Sequence, residues 1–273
     1  MVTPFGEDGE LNEEAAVALM RHLLENGSDG LVLAGTTGES PTLTDDEKVR
    51  LWELGVEECG DAPVIAGTGT NDTRHSIELT ERASEAGVDA VLAVTPYYNK
   101  PNRRGLIEHY RGIAAATDRP VILYNIPSRV VVDIPNGLLA ELAEIPNVSA
   151  VKQARYEDPG PIEGLDLLAG NDDMLADVLD RGGTGGILVA SHLVGTEMRR
   201  MIDEPESRHE IHESLQDLFR ALSVTSNPMP IKAALNMAGH DVGGMRLPMV
   251  EPSEEEQAVI REALERHGLL AAV

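Results

Sequence analysis

The sequence predicts an α/β protein, a (β/α)8 TIM barrel with a C-terminal helical appendage, and three observations carry that prediction. Short apolar runs recur along the first two hundred residues, each followed by a segment of helical period. The runs are near-continuously apolar rather than alternating, as parallel strands covered on both faces require. After residue 205 the runs stop and only helical patterns remain.

Taken in order, "VTP" at residues 2–4 reads as the end of a first strand. The runs "DGLVLAG" (29–35), "APVIAGT" (62–68), "VDAVLAVTP" (88–96) and "PVILYNIP" (120–127) follow, and then "VSAVKQA" (148–154), "LDLLAGN" (165–171) and "GGILVAS" (185–191). Between them, Thr44 and Glu47 form a capping box that opens a helix over 44–59. A second helix begins at Asn71–Asp72 and runs to Ala86, where Gly87 stops it. Eight β/α repeats favour a closed barrel over an open doubly wound sheet. The barrel is expected over 1–205 and a three-helix domain over 206–273, in "RHEIHESLQDLFRALSV", "PMPIKAALNMAG" and "SEEEQAVIREALERHG".

Composition narrows the function classes. Of 273 residues 42% are hydrophobic, and no apolar run reaches membrane-spanning length. The start, "MVTPFGEDGELNEE", lacks the basic and apolar regions of a secretion signal, so a cytoplasmic protein is expected. One cysteine, Cys59, permits no internal disulfide, and no metal-ligand spacing occurs. Acidic residues number 47 against 22 basic ones, giving a formal charge of −25 and a pI near 4.5. Such a field repels nucleic acid and anionic membranes, so neither is expected as a partner. Dispersed acid with only four lysines suits a halophilic surface, where repulsion is screened over about 3 Å at 1 M salt.

In a barrel of this kind function sits at the C-terminal strand ends. Those ends read "GTTGES" (35–40), "GTGTND" (67–72), "TPYYNKP" (95–101), "YNIPSR" (124–129), "KQAR" (152–155), "GND" (170–172) and "ASH" (190–192). The glycine-rich loops do not bind nucleotides by this reading. Asp72 stands where a dinucleotide fingerprint needs its third glycine, "GTTGES" lacks the lysine of a phosphate loop, and "GGTGG" (182–186) precedes its strand. No cofactor is expected.

Lys152 is the exception within an apolar strand. Burial disfavours a charged amine, and a neutral amine can condense with a carbonyl to form a Schiff base. Snorkelling to the strand end, or pairing with a carboxylate, explains such a lysine equally well. Tyr124 lies one strand earlier at the same end, and its phenol suits proton transfer to an imine. Thr36, Thr37, Tyr97 and Tyr98 offer further hydroxyls, and three of the five tyrosines fall at these ends. Arg129 at the mouth suits bidentate capture of a carboxylate, although a surface ion pair would place it there too. Cys59 is expected at a helix end, Trp52 in the core, and His75 and His109 on helix faces.

"GTTGES", "TPYYNKP", "YNIPSR", the strand lysine, "NPMPIK" and "RLPM" occur in this order over nearly the whole chain. This set closely resembles the dihydrodipicolinate synthase family of the pyruvate-dependent class I aldolases. The resemblance implies that Lys152 forms a Schiff base with pyruvate, whose enamine adds to L-aspartate 4-semialdehyde. It implies that Thr36 and Thr37 hold the pyruvate carboxylate, and that Thr37, Tyr98 and Tyr124 relay protons, with Tyr98 given across a dimer interface. Arg129 would receive the carboxylate of the aldehyde substrate, while Ile187 and Gly170 would border the pyruvate pocket. A homotetramer built from two tight dimers is implied as well. Aldolases acting on 2-keto-3-deoxygluconate share the lysine and form the alternative reading.

The sequence also departs from that family. Members usually carry more residues before "VTP", and Glu-Ala with a small hydroxyl residue after the lysine, where this chain has Gln153-Ala154-Arg155. Arg155 adds a cation near the site. The segment from Lys152 to Gly170 is short, so its helix is expected to shrink to a turn. His75 stands where lysine-inhibited members carry an acid, which implies weak feedback by lysine.

Overall fold

The computed structural model describes residues 1–271. Its elements run α1 (Glu13–Glu25), β1 (Leu31–Leu33), α2 (Asp45–Glu58), β2 (Val64–Gly67), α3 (Thr73–Ala86), β3 (Ala90–Val94), α4 (Arg103–Ala115), β4 (Val121–Asn125), α5 (Pro127–Val130) and α6 (Asn136–Leu142). Then follow β5 (Val148–Gln153), β6 (Asp166–Ala169), α7 (Leu175–Asp180), β7 (Gly185–Gly186), α8 (Ser191–Asp203), α9 (Arg208–Ala221), α10 (Met229–Met237) and α11 (Glu254–Arg266). The chain packs into two compact units, Pro63–Leu188, and Met1–Ala62 with Val189–Val273.

In the 63–188 unit, β2 to β7 form a parallel sheet whose neighbours follow sequence order. All five residues of β4 are buried, the consequence of an apolar run covered on both faces. On α6, Leu138, Leu139 and Leu142 recur at helical spacing and are buried, each contributing roughly 1.5–3 kcal/mol. Asp72 caps α3 by accepting from the Arg74 N–H, which accounts for "GTGTND" as a helix start. Gly87 ends α3 in the left-handed region. Gly69 permits close backbone approach, because a Cβ there would stand 2.3 Å from Val94 N. Between β5 and β6, residues 154–165 contain no helix, as the short segment predicts. The last strand is shorter than its apolar run. Ile187 N–H still bonds Ala169 O at 2.9 Å, but helix α8 claims the chain from Ser191.

In the other unit, α2 carries the expected capping box between Thr44 and Glu47. Cys59 is its buried C-cap, and Trp52 is fully buried with its indole N–H on Leu33 O at 3.4 Å. The three helices expected after residue 205 are α9, α10 and α11, and Ser253 with Glu256 boxes the start of α11. Residues 2–4 correct the sequence reading, since they form no strand. The Val2 N–H goes to His192 Nε2 at 3.1 Å, the Thr3 hydroxyl to Gly38 O at 2.7 Å, and Pro4 has no N–H to give. With the Val2 backbone N–H committed to a ring nitrogen and Pro4 lacking one, two of the three residues have no donor for a ladder.

Candidate active site

The alternation of strand side chains puts Ala150 and Lys152 on one face of β5 and Val151 and Gln153 on the other. Tyr124 on β4 is the register partner of Lys152. Both side chains are buried, and Lys152 Nζ lies 4.2 Å from the centroid of the Tyr124 ring. Among the described residues no carboxylate pairs with that nitrogen. The contrast with other lysines decides between the two structural readings. Lys48 pairs with Asp45 at 3.1 Å and Lys232 with Glu39 at 2.7 Å, whereas Lys152 faces an aromatic ring. A ring face leaves the nitrogen without a carboxylate to hold it in an ion pair, and an amine placed so can meet a carbonyl carbon.

The strand ends around this pair are held by hydrogen bonds. Tyr124 O accepts from the Thr95 N–H at 3.0 Å and from the Thr95 hydroxyl at 2.8 Å. The buried Tyr110 phenol donates to Thr95 Oγ1 at 3.4 Å, and burial pushes that phenol's pKa up. Gly170 N–H donates to Gln153 O at 2.8 Å. A Cβ at Gly170 would stand 2.8 Å from Ala154 Cβ and 2.9 Å from Gln153 O, so glycine is required for this close approach beside the lysine strand. Ile187 follows β7 directly and is half-buried.

Tyr98 lies on the loop after β3, 88% exposed and with φ +73°. Tyr97 beside it is half-buried. Arg129 lies in the last turn of the short helix α5 and is exposed. His109 is buried on α4, with its Nδ1 2.9 Å from the Thr73 hydroxyl.

Thr36 and Thr37 belong to the other unit, where the "GTTGES" loop turns back on itself through bonds from Glu39 N–H to Thr36 O and Ser40 N–H to Gly35 O. Glu39 adopts φ +56° and sends its carboxylate inward. Lys232 meets it there, and also donates to Gly244 O at 2.6 Å. The Asn227 amide donates to Thr37 Oγ1 at 2.9 Å.

Sequence reasoning missed Asn227 and the Glu39–Lys232 pair, and although it singled out Gln153 and Arg155 it missed the polar ring they form with Asn125 and Asp133. Their signal was present as polar residues inside "GTTGES" (Glu39), "YNIPSR" (Asn125), "KQAR" (Gln153, Arg155) and "NPMPIK" (Asn227, Lys232), while Asp133 lies outside every such motif. Their partners are remote in sequence, so spacing alone could not pair them. Among the described residues, no group of His, Cys, Asp or Glu is placed to hold a metal ion, and no helix is long and apolar enough to cross a membrane.

A buried strand lysine set against a tyrosine in a parallel β/α protein provides the parts that a lyase of the Schiff-base aldolase type uses. Comparison with known proteins narrows this. The model of the dihydrodipicolinate synthetase family matches residues 1–267. The 4-hydroxy-tetrahydrodipicolinate synthase of Heliobacterium modesticaldum is 45% identical, with 100% of this chain and 95% of that protein covered. The crystal structure of dihydrodipicolinate synthase from Aquifex aeolicus superposes with a TM-score of 0.95 at 37% identity, covering 100% of this chain and 98% of the other. A chloride-inhibited dihydrodipicolinate synthase from Acinetobacter baumannii, complexed with pyruvate, gives 0.95 at 34% identity, covering 99% and 97%. The chain belongs to the dihydrodipicolinate synthetase family. Its fold class is the (β/α)8 barrel with a helical C-terminal part that the strand pattern predicts.

Proposed function

We propose that this chain condenses pyruvate with L-aspartate 4-semialdehyde to give 4-hydroxy-tetrahydrodipicolinate, the reaction named for its curated relatives. The observation that carries the reading is Lys152, buried, faced by the Tyr124 ring and without a carboxylate partner among the described residues. In the proposed sequence the Lys152 amine attacks the pyruvate ketone, and water leaves as the imine forms. Loss of a methyl proton gives the enamine, whose carbon bonds to the aldehyde carbon. The amino group of the second substrate then attacks the imine carbon, closing the ring and releasing the lysine.

Tyr124 serves as the proximal proton carrier, with Thr37 and Tyr98 completing the relay. Thr36 and Thr37 hold the pyruvate carboxylate, Gly170 and Ile187 border its pocket, and Arg129 receives the carboxylate of the aldehyde. The exposure of Tyr98 supports its presentation to a second copy of the chain, in a homotetramer made of two tight dimers. Residues 1–205 form the catalytic barrel and 206–273 an appendage. The acidic, lysine-poor surface supports a cytoplasm rich in salt as the working environment.

The test is borohydride trapping. Pyruvate and borohydride in high salt should leave a stable adduct on Lys152, and aspartate semialdehyde should turn over. Lack of an adduct would defeat Schiff-base chemistry. An adduct with turnover only of 2-keto-3-deoxygluconate would favour the sugar-acid aldolase instead.

A further inference from the structure

We infer that Arg155 is a positioning residue for Arg129, setting the affinity for the aldehyde substrate without touching it. The inference rests on the role proposed for Arg129.

Arg129 sits on a strap between two anchors. One end is Asn125, at the end of β4 and next to Tyr124. After α5 the chain passes Val131, a β-branched residue at φ +64°. That conformation is strained for a side chain of this shape and persists only where the surroundings impose it. Val131 is 67% exposed, so packing does not impose it. The restraint is polar and lies at the other anchor, residues 133–136. Ile134 N–H donates to Asn125 Oδ1 at 3.1 Å, and Asn125 Nδ2 donates to Asp133 Oδ1 at 3.0 Å.

Arg155 closes this ring from the lysine strand. Its Nη1 donates to Asp133 Oδ2 at 3.0 Å, and its Nη2 to Asn136 Oδ1 and to Asp158 O, the latter at 2.7 Å. Its backbone N–H donates to Gln153 Oε1 at 3.2 Å, the same oxygen that accepts from Asn125 Nδ2 at 3.0 Å. The guanidinium side chain is only 16% exposed, and among the described residues its buried Nε has no partner. Three acceptors, on the loop before α6, the first residue of α6 and the loop after β5, are engaged by one planar fork, which a lysine ammonium cannot reproduce. The cation beside the site is therefore already neutralised by Asp133 and is not offered to a substrate.

The experiment compares wild type with Arg155→Ala, Arg155→Lys, Asp133→Asn and Asn136→Ala. It measures KM for each substrate, kcat, borohydride trapping, and hydrogen exchange over residues 127–136. Arg155→Ala should raise KM for aspartate semialdehyde by about 10-fold or more, leaving pyruvate KM and trapping within about twofold. Exchange over 127–136 should quicken, Asp133→Asn should act in the same direction, and the double variant should add little to either single change. Arg155→Lys should recover only part of the affinity. Equal changes in both KM values, or a lowered Tm with both unchanged, would make Arg155 merely structural and overturn the inference. A raised KM in Arg155→Ala beside an unchanged or lowered one in Asp133→Asn would mean direct substrate contact, and also overturns it. Should Arg155→Ala fail to fold, Asp133→Asn and Asn136→Ala carry the same test. Lack of aldehyde turnover in the wild type would instead sink the functional reading, and unchanged exchange in Arg155→Ala sinks the positioning role whatever the substrate.

Discussion

Replacing Lys232 by methionine should be among the most costly single changes outside β5. Its side chain and that of Glu39 are each 1% exposed, and Nζ is 2.7 Å from the carboxylate. The ammonium also lies 4.3 Å from the Phe5 ring centroid and donates to Gly244 O. Burial lowers the Lys232 pKa, while Glu39 opposes that shift, so each charge depends on the other. With Lys232 gone, the Glu39 carboxylate keeps the backbone N–H of Arg246 at 3.1 Å but loses its counter-charge. Stranding one member of a buried pair costs about 3–5 kcal/mol. At roughly 2–4 °C per kcal/mol for a chain of this size, Tm should fall by about 6–20 °C. The double variant Glu39→Gln/Lys232→Met should recover more than about half of that loss, because no buried charge remains. Denaturant titrations of wild type, both singles and the double give the coupling energy. Repeating them in about 2 M KCl separates this pair from surface pairs such as Arg74–Glu78, which salt screens. A single-variant loss below about 1 kcal/mol, an additive double, or a loss that vanishes in salt would refute the argument.

Gly170→Ala should destabilise by about 1–3 kcal/mol, since its methyl must displace Ala154 or Gln153; a variant as stable as wild type would show that the backbone yields freely there. Acid should weaken the fold well above the carboxylate range. Burial lowers the His109 pKa to about 4 and the His192 pKa to about 3, so both stay neutral in the fold while the unfolded chain takes up protons below about 6.5. Their contribution is whole above about 6.5 and drains as pH falls toward the folded values, with His109 alone accounting for about 3 kcal/mol. His109→Gln should flatten Tm against pH between about 6.5 and 4, and an unchanged slope would count against this. Finally, free lysine should inhibit weakly, given His75 where lysine-inhibited members carry an acid; steady-state assays showing clear inhibition at sub-millimolar lysine would overturn that expectation.

Strand and helix periods made most of the fold legible before any coordinates. The apolar runs contain every strand, and the caps at Thr44 and Asp72 mark true helix starts. Failures came where hydrogen-bond partners, not apolar pattern, decide the outcome. Residues 2–4 look like a strand, yet their donors serve a histidine ring and a loop carbonyl. Only Gly185 and Gly186 of the run from Gly185 form a strand; residues 187–190 are loop and turn leading into α8 at Ser191, an outcome that apolar character alone does not distinguish from a longer strand. At the candidate site, the Lys152–Tyr124 adjacency followed from consecutive parallel strands ending level. The Arg155 ring did not, because its partners come from three separate segments and no periodicity links them.

The scarcity of lysine turns out to discriminate among the lysines that remain. Composition of an acidic surface bears on exposed lysines only, so buried positions report on other pressures. Lys232 fits one of them: a compact ammonium satisfies a carboxylate, a carbonyl and a ring face in a space where a forked guanidinium would leave donors unmet. Lys152 answers a different one. Its environment provides a ring and no counter-charge among the described residues, which stabilises little and would favour replacement by leucine or methionine if stability alone were at stake. A costly, replaceable amine at a strand end is the signature of chemistry. With only four lysines in 273 residues, one placed in an apolar strand stands out in the sequence.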